Sequence, residues 1–327
     1  MTVAKDTSGS MVRAIQLSDV EAAAQRIAGK VRRTPMLRAE PTKQSITDAT
    51  DAASWLKLEH LQISGSFKAR GAMNKALLLS EAERARGLIT ASGGNHGLAV
   101  AHAGWRLGVP VTVYLPANAP MSKETGLRAW GATVIRHGEV WDEANEAALA
   151  EAARTHASYL HPFEDPAVIA GQGTQALEIL SDVPQVDVLV VAIGGGGLIS
   201  GVSLAAKALK PSIKIIGVEP TGAPTLYESL RADKVITLDK ITTAANTLAP
   251  RRSSQINLDL IRANVDEIVL VSDDDMREAA RWLWREFAIG AELSGAAAVA
   301  AIMRGKVTLS SSQVACAIVC GAGTDGM

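Results

Sequence analysis

Aromatic residues are scarce in this chain of 327 residues, because Phe, Trp and Tyr together make up 4% of it. A surface that stacks nucleic-acid bases needs several aromatic rings, so this class of function is disfavoured. An excess of charge of one sign is also lacking: 33 basic residues balance 34 acidic ones, and the formal net charge is −1. We therefore expect no nucleic-acid partner and no charge-driven contact with a membrane surface.

Cysteine is rare as well, with two residues, Cys316 and Cys320, near the C-terminus. Four positions apart in one predicted strand, their side chains point the same way but are too far apart to form a disulfide. The first ten residues are polar and lack the apolar core of a secretion signal. Together these features predict a reducing, cytoplasmic location.

Long apolar runs are lacking except at residues 188–206, which contain no acidic or basic residue. This length approaches what a membrane-spanning helix needs. However, four consecutive glycines interrupt the run, and the residues before them are mostly β-branched. These features predict a buried strand, a loop and a helix, so no membrane partner is expected.

The rest of the chain alternates short apolar strands with amphipathic helices. Ser18 can cap a first helix at 20–32, and another helix is predicted at 67–79. Two strand–helix pairs are a strand at 87–92 before a helix at 95–107, and a strand at 186–193 before a helix at 198–209. Such alternation predicts an α/β fold with parallel sheets and helices on both faces. Ligands of parallel sheets bind in the loops at the carboxyl ends of the strands, so these loops are candidate sites.

Three of the loops that follow strands are rich in glycine: residues 92–97, 194–197 and 320–324. Glycines let several backbone N–H groups converge on one anion, and a following helix adds its positive end. The tetraglycine loop is therefore the best candidate for a phosphate site, although a tight turn without a ligand fits the same residues. The dinucleotide fingerprint fails there, since its third glycine would fall on Ile199 or Ser200, and the chain has no P-loop motif.

Lys68 lies in the run S-G-S-F-K-A-R-G-A, which starts at Ser64 and opens a predicted helix. A lysine becomes a nucleophile when burial or a neighbouring positive charge destabilises its ammonium form. Arg70 and the positive end of the helix would both act in that direction. The alternative is an ordinary solvated lysine on the first turn of a helix.

Taken in order, these runs resemble the β-family, or fold type II, of pyridoxal-phosphate enzymes, and most closely the threonine/serine dehydratase and serine racemase branch. The similarity covers nearly the whole chain. The matching runs are S-G-S-F-K-A-R-G-A from Ser64, S-G-G-N-H-G from Ser92, G-G-G-G-L-I-S-G from Gly194, V-E-P from Val218, E-L-S-G-A from Glu292, and the glycine-rich end of the last strand.

The resemblance implies a fold of two domains, like that of the tryptophan synthase β-subunit. Residues 1–86 and 163–327 would form the large cofactor-binding domain, and residues 87–162 the small mobile one. It further implies a homodimer, which is common in the family. The chain ends soon after the matching runs, which favours the short catabolic type of threonine dehydratase.

The resemblance also implies a role for each site residue. Lys68 would form the Schiff base with pyridoxal 5′-phosphate and remove the Cα proton of the substrate. Phe67 would pack beside the cofactor ring, Asn95 would bond its 3′-hydroxyl, and Cys320 would face its pyridine nitrogen. The phosphate would bind to Gly194, Gly195, Gly196 and Gly197. The substrate carboxylate would bind to the loop formed by Ser92, Gly93, Gly94, Asn95 and His96.

The implied reaction is β-elimination, in which a 3-hydroxy amino acid such as L-threonine or L-serine gives a 2-oxo acid and ammonia. Racemases of this branch carry a serine at the position of Gly93, so racemisation is disfavoured. A divalent-cation site for Mg²⁺ or Ca²⁺ would use Glu219 and Ala223, but Thr225 replaces the aspartate of that pattern. One negative ligand fewer weakens the binding of a hard cation.

Two further departures affect the pocket itself. Thr247 replaces a glycine that lies against the cofactor in the family, and its β-branched side chain adds bulk. The sequence C-G-A-G-T from Cys320 differs from the usual S-G-G-N. The substrate could therefore be another 3-hydroxy amino acid, such as hydroxyaspartate, phenylserine or a hydroxyectoine-derived compound. The same residues are also compatible with β-replacement, with serine racemase-like activity, and with a non-catalytic protein that binds pyridoxal phosphate or an amino acid.

Overall fold

A computed structural model describes residues 4–5, 11–12, 15–47, 53–119 and 121–326 of the chain. The sequence predicts no secretion signal in the polar segment 1–10. Most of that segment lies outside the residues that the structure describes. Two short strands, β1 (Ala4–Lys5) and β2 (Met11–Val12), pair with each other in antiparallel orientation.

Six strands form the larger of the two main sheets. They are β3 (Met36–Arg38), β4 (Ala53–Lys57), β9 (Val188–Ala192), β10 (Lys214–Pro220), β11 (Glu267–Val271) and β12 (Val314–Ile318). Their order is β11-β10-β9-β12-β4-β3, and every neighbouring pair is parallel except the edge pair β3–β4. Strand β9 has the sequence V-L-V-V-A and is buried along its whole length. Such a continuous apolar run is typical of a parallel strand with helices on both faces.

Four strands form the second sheet, and all of them are parallel. They are β5 (Leu88–Ala91), β6 (Val111–Leu115), β7 (Thr133–Arg136) and β8 (Ser158–Tyr159), in the order β7-β6-β5-β8. The carboxyl end of β5 leads into the loop at 92–94, and that of β9 leads into the tetraglycine loop. Both sheets therefore present a glycine-rich loop where a strand ends, as the sequence predicted.

Helices connect the strands of both sheets. They are α1 (Leu17–Ile27), α2 (Lys68–Leu78), α3 (Glu81–Ala85), α4 (Asn95–Leu107), α5 (Met121–Ala129), α6 (Trp141–Thr155), α7 (Pro166–Asp182), α8 (Gly197–Leu209), α9 (Thr225–Arg231), α10 (Gln255–Asn264), α11 (Asp273–Phe287) and α12 (Leu293–Met303). Local sequence explains several of their starts. Asp165 accepts hydrogen bonds from the first backbone N–H groups of α7, and Pro166 occupies its first position, where no N–H is needed. Among the described residues, no helix combines the length and the apolar character needed to cross a bilayer.

Helices α2, α7 and α8 pack unusually close together, because glycines face one another. A Cβ atom on Gly171 would lie 2.6 Å from the Cα atom of Gly71 in α2. A Cβ atom on Gly173 would lie 2.7 Å from the carbonyl oxygen of Gly201 in α8. Since real Cβ atoms do not come this close to backbone atoms, glycine is required at these contacts. The close packing fixes α2, and with it Lys68, relative to the loop that starts α8.

Two local predictions were wrong. The first helix does not start after Ser18, because α1 begins at Leu17, and the Asp19 side chain accepts a hydrogen bond from the backbone N–H of Gln16 at 2.8 Å. That helix also ends at Ile27, before Gly29, which has a left-handed φ of 69°. The last strand ends at Ile318 rather than at residue 320. Cys320 therefore lies in the loop beyond the strand.

Candidate active site

Lys68 begins α2, and its amine is buried in the cavity between the two sheets. Its Nζ atom donates a hydrogen bond to the carbonyl oxygen of Pro162 at 2.7 Å and lies 5.1 Å from the centre of the Phe67 ring. Burial lowers the pKa of Lys68 to about 8, although the thiol of Cys320 and the carboxyl of Glu292 act to raise it. At pH 7 about a tenth of this amine is therefore unprotonated, which is far more than for an ordinary surface lysine.

The start of α2 is fixed to the loop after β12 by backbone contacts. The N–H of Phe67 donates to the carbonyl oxygen of Cys320 at 3.2 Å, and Ser66 pairs with Gly321 in an isolated antiparallel bridge. The Phe67 ring is buried. These contacts bring the first and last matching runs of the sequence to the same wall of the cavity.

Arg70 does not supply the positive charge that the sequence analysis expected beside Lys68. Its guanidinium is buried and bonds to the carboxylates of Glu59 and Glu178, with closest N–O distances of 2.7 Å to each. Lys57, also buried, makes a further ion pair with Glu178 at 2.5 Å. That interpretation was wrong, since burial is the main cause that lowers the pKa of Lys68. Arg70 instead anchors α2 through a buried ionic cluster.

The tetraglycine loop connects β9 to α8 and lies against Phe163. A side chain on Gly195 would overlap the Phe163 ring, and one on Gly197 would lie 2.8 Å from the Phe163 carbonyl oxygen. Gly196 has a φ of 96°, a conformation that other residues rarely adopt. Glycine is thus required at 196 for the backbone conformation, and at 195 and 197 because Phe163 leaves no room for a side chain. The loop ends at the N-terminus of α8, where helical N–H groups favour an anion.

Asn257 holds this loop in place from behind. Its Nδ2 atom donates to the carbonyl oxygens of Gly195 at 2.9 Å and Phe163 at 3.0 Å, and its Oδ1 atom accepts from the Ser200 hydroxyl at 2.8 Å. Ser253 adds a second bond to the Gly195 carbonyl oxygen, at 2.8 Å. Sequence reasoning missed Asn257 and Ser253, because a single asparagine or serine far along the chain belongs to none of the recognised runs.

Asn95, the first residue of α4, reaches across the cavity to Glu292. Its Nδ2 atom donates to Glu292 Oε1 at 2.7 Å. The same oxygen accepts a hydrogen bond from Thr247 at 3.1 Å, and Thr247 is also paired with the Ser294 hydroxyl. Burial raises the pKa of Glu292 to about 7, although the bonds from Asn95 and Thr247 act to lower it. The sequence runs had included Glu292 and Ser294 without giving either a role.

Cys320 is buried at the wall of the cavity, and its Sγ atom lies 3.4 Å from the carbonyl oxygen of Ser294. Burial raises the pKa of this thiol well above its usual range, and the nearby Glu292 carboxyl acts in the same direction. The thiol is therefore neutral at physiological pH. Both cysteines of the chain are free.

The loop predicted to receive the substrate carboxylate lies beside Asn95. Ser92 Oγ accepts a hydrogen bond from the N–H of Gly94 at 3.4 Å. His96 is buried, and its Nε2 atom pairs with the carbonyl oxygen of Leu160 at 2.9 Å, so Nε2 carries the proton. Burial, together with the charge of Lys68, lowers the pKa of His96 to about 3. This imidazole is therefore neutral.

One cavity brings all eight residues predicted to bind the cofactor together. Of the predicted substrate loop, Asn95 lines it. The predicted residues in its wall are Phe67, Lys68, Asn95, Gly194, Gly195, Gly196, Gly197 and Cys320. The wall residues to which the sequence gave no role are Phe163, Ala192, Leu198, Leu248 and Glu292.

The residues predicted for a divalent cation lie away from this cavity wall. Both oxygens of the buried Glu219 carboxyl accept backbone hydrogen bonds, from Leu226 at 2.9 Å and from Tyr227 at 2.7 Å. Thr225 donates its hydroxyl to the carbonyl oxygen of Pro250. Within the described ranges, no group of three or more His, Cys, Asp or Glu side chains is placed to hold a metal ion. The site with Glu219 and Ala223 stays a prediction, and these contacts do not fit it.

Known proteins resemble this chain over most of its length. Residues 27–321 match the family described as pyridoxal-phosphate dependent enzymes. An L-threonine ammonia-lyase from Thermotoga maritima is 41% identical over 304 residues, which cover 93% of this chain and 75% of that protein. The structure of maize serine racemase has a TM-score of 0.89 at 34% identity and covers 95% of this chain and 94% of its own. The processed form of threonine deaminase isoform 2 from Solanum lycopersicum has a TM-score of 0.86 at 33% identity, with coverage of 94% and 83%.

Proposed function

This chain belongs to the pyridoxal-phosphate dependent enzyme family, and from that premise we propose that it converts a 3-hydroxy amino acid, such as L-threonine or L-serine, into a 2-oxo acid and ammonia. The family, fold type II and the cofactor, all predicted from the sequence, are confirmed. The observation that carries the proposal is the convergence of Lys68, Asn95, the tetraglycine loop and Cys320 in one cavity. The activity named for the Thermotoga maritima relative is of the same kind.

The cavity fits a phosphorylated aromatic cofactor. The tetraglycine loop leads into the positive end of α8, where backbone N–H groups suit a phosphate group, and its glycines let Phe163 and Asn257 pack directly against it. Phe67 supplies a flat apolar surface, and Lys68 supplies an amine that is partly unprotonated at neutral pH. We infer that the glycine loop holds the phosphate, that Lys68 holds the cofactor covalently, and that Cys320 faces its ring nitrogen.

The reaction removes the Cα proton and the β-hydroxyl group of the substrate, which leave together as water. Water then hydrolyses the resulting enamine to the 2-oxo acid and ammonia. When bound, the cofactor disperses the negative charge left on the substrate Cα after its proton is lost. Lys68 is the base for that proton, because its lowered pKa leaves a free amine near neutral pH. The neutral Cys320 thiol is too weak an acid to protonate a ring nitrogen, which favours prompt elimination over transamination.

Gly93 supports elimination over racemisation. Racemisation needs a second acid–base group on the face of Cα opposite the lysine, and Gly93, at the serine position of the racemases, has no side chain. In the same loop, we propose that Ser92, Gly94, Asn95 and His96 surround the substrate carboxylate. Because His96 is neutral, it would contribute hydrogen bonding and shape rather than charge.

A second candidate within this reaction class is a different 3-hydroxy amino acid. Thr247 supports it, because its Cγ2 atom lies 3.9 Å from where a side chain on Gly94 would begin. The methyl group of Thr247 therefore faces the substrate loop, while its backbone oxygen lies against Gly194. Its bulk would change which β-substituents fit.

Release of 2-oxo acid from a panel of 3-hydroxy amino acids, measured with purified holoenzyme, tests the proposal. We expect turnover of at least one member, and loss of both turnover and the long-wavelength absorption of the bound cofactor in Lys68→Ala. Lys75→Ala, which alters a half-buried lysine in the same helix, is the control and should retain both. If cofactor is bound and every amino acid in the panel is left unchanged, the dehydratase proposal is wrong.

We further propose that residues 87–162 form a small mobile domain, with 1–86 and 163–327 as the large one. The second sheet supports this division, because its strands run from Leu88 to Tyr159. A homodimer, by resemblance to the family, and a cytoplasmic location, from the scarcity of cysteine, complete the proposal. Sedimentation of the purified protein tests the dimer.

A further inference from the structure

The bond between Asn95 and Glu292 joins residues 197 positions apart and links the two main sheets. Asn95 is the first residue of α4, which follows strand β5 of the second sheet, whereas Glu292 immediately precedes α12, which packs on the larger sheet. The distance of 2.7 Å from Nδ2 to Oε1 is that of a strong hydrogen bond. Both side chains line the cavity. Glu292 therefore acts on Asn95 within the cofactor site itself.

Thr247 contributes a second hydrogen bond to the same carboxyl oxygen. Its single hydroxyl proton can go to Glu292 Oε1, at 3.1 Å, or to the Ser294 hydroxyl. When Glu292 is ionised, we assign this proton to the carboxylate, which is the stronger acceptor, and the Ser294 hydroxyl then donates to Thr247. In this arrangement the hydroxyls of Ser294 and Thr247 form a chain of hydrogen bonds that ends on Glu292 Oε1. The Asn95 amide donates to the same oxygen. The position of the Glu292 carboxyl is therefore set by a hydroxyl that a glycine at position 247 would not provide.

Two glycines leave the space that this arrangement needs. A side chain on Gly321 would collide with Glu292 Oε1 and approach the Asn95 Nδ2 atom to 3.2 Å. A side chain on Gly323 would lie 2.7 Å from the Glu292 Cβ atom. Both glycines belong to the loop after β12 that departs from the usual family sequence. That loop is thus shaped around the Glu292 carboxyl.

We propose that Glu292 is a positioning residue that orients the Asn95 amide, and that the Thr247 hydroxyl holds Glu292 in the place where it does so. An ionised carboxylate accepts hydrogen bonds but donates none, so the amide must turn its NH₂ group towards it. One N–H then points to Glu292, and the other is free to donate to an oxygen atom in the cavity. The inference rests on the proposed role of Asn95 as the partner of the cofactor's 3′-oxygen.

Protonation of Glu292 weakens this control of the amide. A neutral carboxyl can donate as well as accept, so it tolerates either orientation of Asn95. The charged or titratable groups around Glu292 are Lys68 on α2, Cys320 after β12 and Asp325 near the C-terminus. Lys68 favours the ionised form of Glu292, whereas Asp325 opposes it. Since burial raises the pKa of Glu292 to about 7, the orientation of the amide becomes sensitive to pH around neutrality.

The test measures the affinity of the apoprotein for pyridoxal phosphate and the absorption spectrum of the bound cofactor. Glu292→Ala is expected to weaken binding about tenfold and to shift the absorption band, because the loss of one charge-assisted hydrogen bond has an effect of this size. Thr247→Val, which removes the hydroxyl but keeps the shape, should weaken binding about threefold. Thr247→Ser, which keeps the hydroxyl that Thr247→Val lacks, should have the wild-type spectrum.

Thr243→Val is the matched control. Its hydroxyl bonds to Asp273 in the same segment of chain but lies outside the cavity wall. Glu292→Gln preserves the size of the side chain, so its spectrum should lose the dependence on pH near 7 while the fold is retained. The positioning role is overturned if the spectrum of Glu292→Gln still depends on pH near 7. It is also overturned if Glu292→Ala and Thr247→Val have the same cofactor affinity and spectrum as the control Thr243→Val. A wild-type protein that binds no pyridoxal phosphate would overturn the proposed function as well, and that outcome is visible before any variant is made.

Discussion

The amine of Lys68 donates a hydrogen bond to the carbonyl oxygen of Pro162, 2.7 Å away and 94 residues later in the chain. Pro162 belongs to the segment that connects β8 to α7, and the next residue, Phe163, lies against the tetraglycine loop. A single segment therefore contacts both the reactive amine and the predicted phosphate site. The bond also holds the amine in the cavity, where burial lowers its pKa.

The lowered pKa of Lys68 should govern how fast pyridoxal phosphate attaches to the apoprotein. Only the unprotonated amine is a nucleophile, and its fraction rises about tenfold between pH 7 and 9 for a pKa of about 8. We expect the attachment rate, followed by stopped-flow absorbance, to rise over this interval and then level off. A short peptide with one lysine is the control, and its rate should keep rising to about pH 10. If the attachment rate of the protein depends on pH in the same way as that of the peptide, the pKa of Lys68 is not lowered.

Asn257→Ala should reduce the affinity for pyridoxal phosphate about tenfold, because it removes four hydrogen bonds around the loop and leaves the Gly195 carbonyl with the bond from Ser253. Cofactor fluorescence titration measures this effect. Asn264→Ala is the control in the same helix, since its amide bonds to the carbonyl oxygen of Leu260 and not to the loop. Equal affinities for the two variants would argue against a role of Asn257 in shaping the site.

Gly93→Ser should not convert the protein into a racemase. A Cβ atom at this position would lie 2.9 Å from Leu115 Cδ2 and 3.1 Å from Lys123 Cδ, so the loop must shift to accept it. We expect a melting temperature lowered by a few degrees, consistent with about 1–2 kcal/mol of strain, and no D-serine from L-serine by chiral chromatography. Gly94→Ser is the steric control, because its nearest neighbour outside the loop is 3.9 Å away. Appearance of D-serine with Gly93→Ser would contradict the expectation.

Arg70→Ala should destabilise the fold by about 3–5 kcal/mol, since it leaves the buried carboxylate of Glu59 without its partner. Urea unfolding of the apoprotein measures the free energy directly. Arg154→Ala is the control: that residue pairs with Glu151 on an exposed helical surface, where such pairs contribute little. A similar small change in both variants would show that the buried cluster does not stabilise α2.

Glu219 should make the stability fall as the pH rises from about 5 to 8. Burial raises its pKa to about 8 in the folded protein, against two backbone hydrogen bonds that act to lower it. The folded state therefore retains a proton that the unfolded state has lost, so the free energy of unfolding decreases with pH, by up to a few kcal/mol in order of magnitude. The raised pKa of Glu292 acts in the same direction.

The measurement for Glu219 is the slope of unfolding free energy against pH. Glu219→Gln cannot ionise, so its slope between about pH 5 and 8 should be flatter than that of the wild type. Glu267→Gln, which alters an exposed carboxylate at the start of β11, is the control variant. Identical slopes for wild type and Glu219→Gln would contradict a raised pKa at this position.

Local sequence patterns were sufficient to establish the α/β fold, the family and the cofactor. Strand β9 carries an uninterrupted apolar run that only a doubly covered parallel strand accommodates, and the glycine loop follows it directly. Predicted boundaries of α2 and α4 agree with the structure within one residue. The start of α1 was wrong, because its first turn depends on a local hydrogen bond of Asp19 rather than on Ser18.

Tertiary packing sets what lies around the reactive lysine. Arg70 is two residues from Lys68 in sequence, yet its charge is taken up by Glu59 and Glu178 in a separate buried cluster. Residues far away in the chain, such as Asn257 and Glu292, instead shape the cavity. Short-range patterns identify residues such as Lys68 and the glycines of a loop. Burial arises only when distant segments pack together and exclude water, and burial is what lowers the pKa of Lys68.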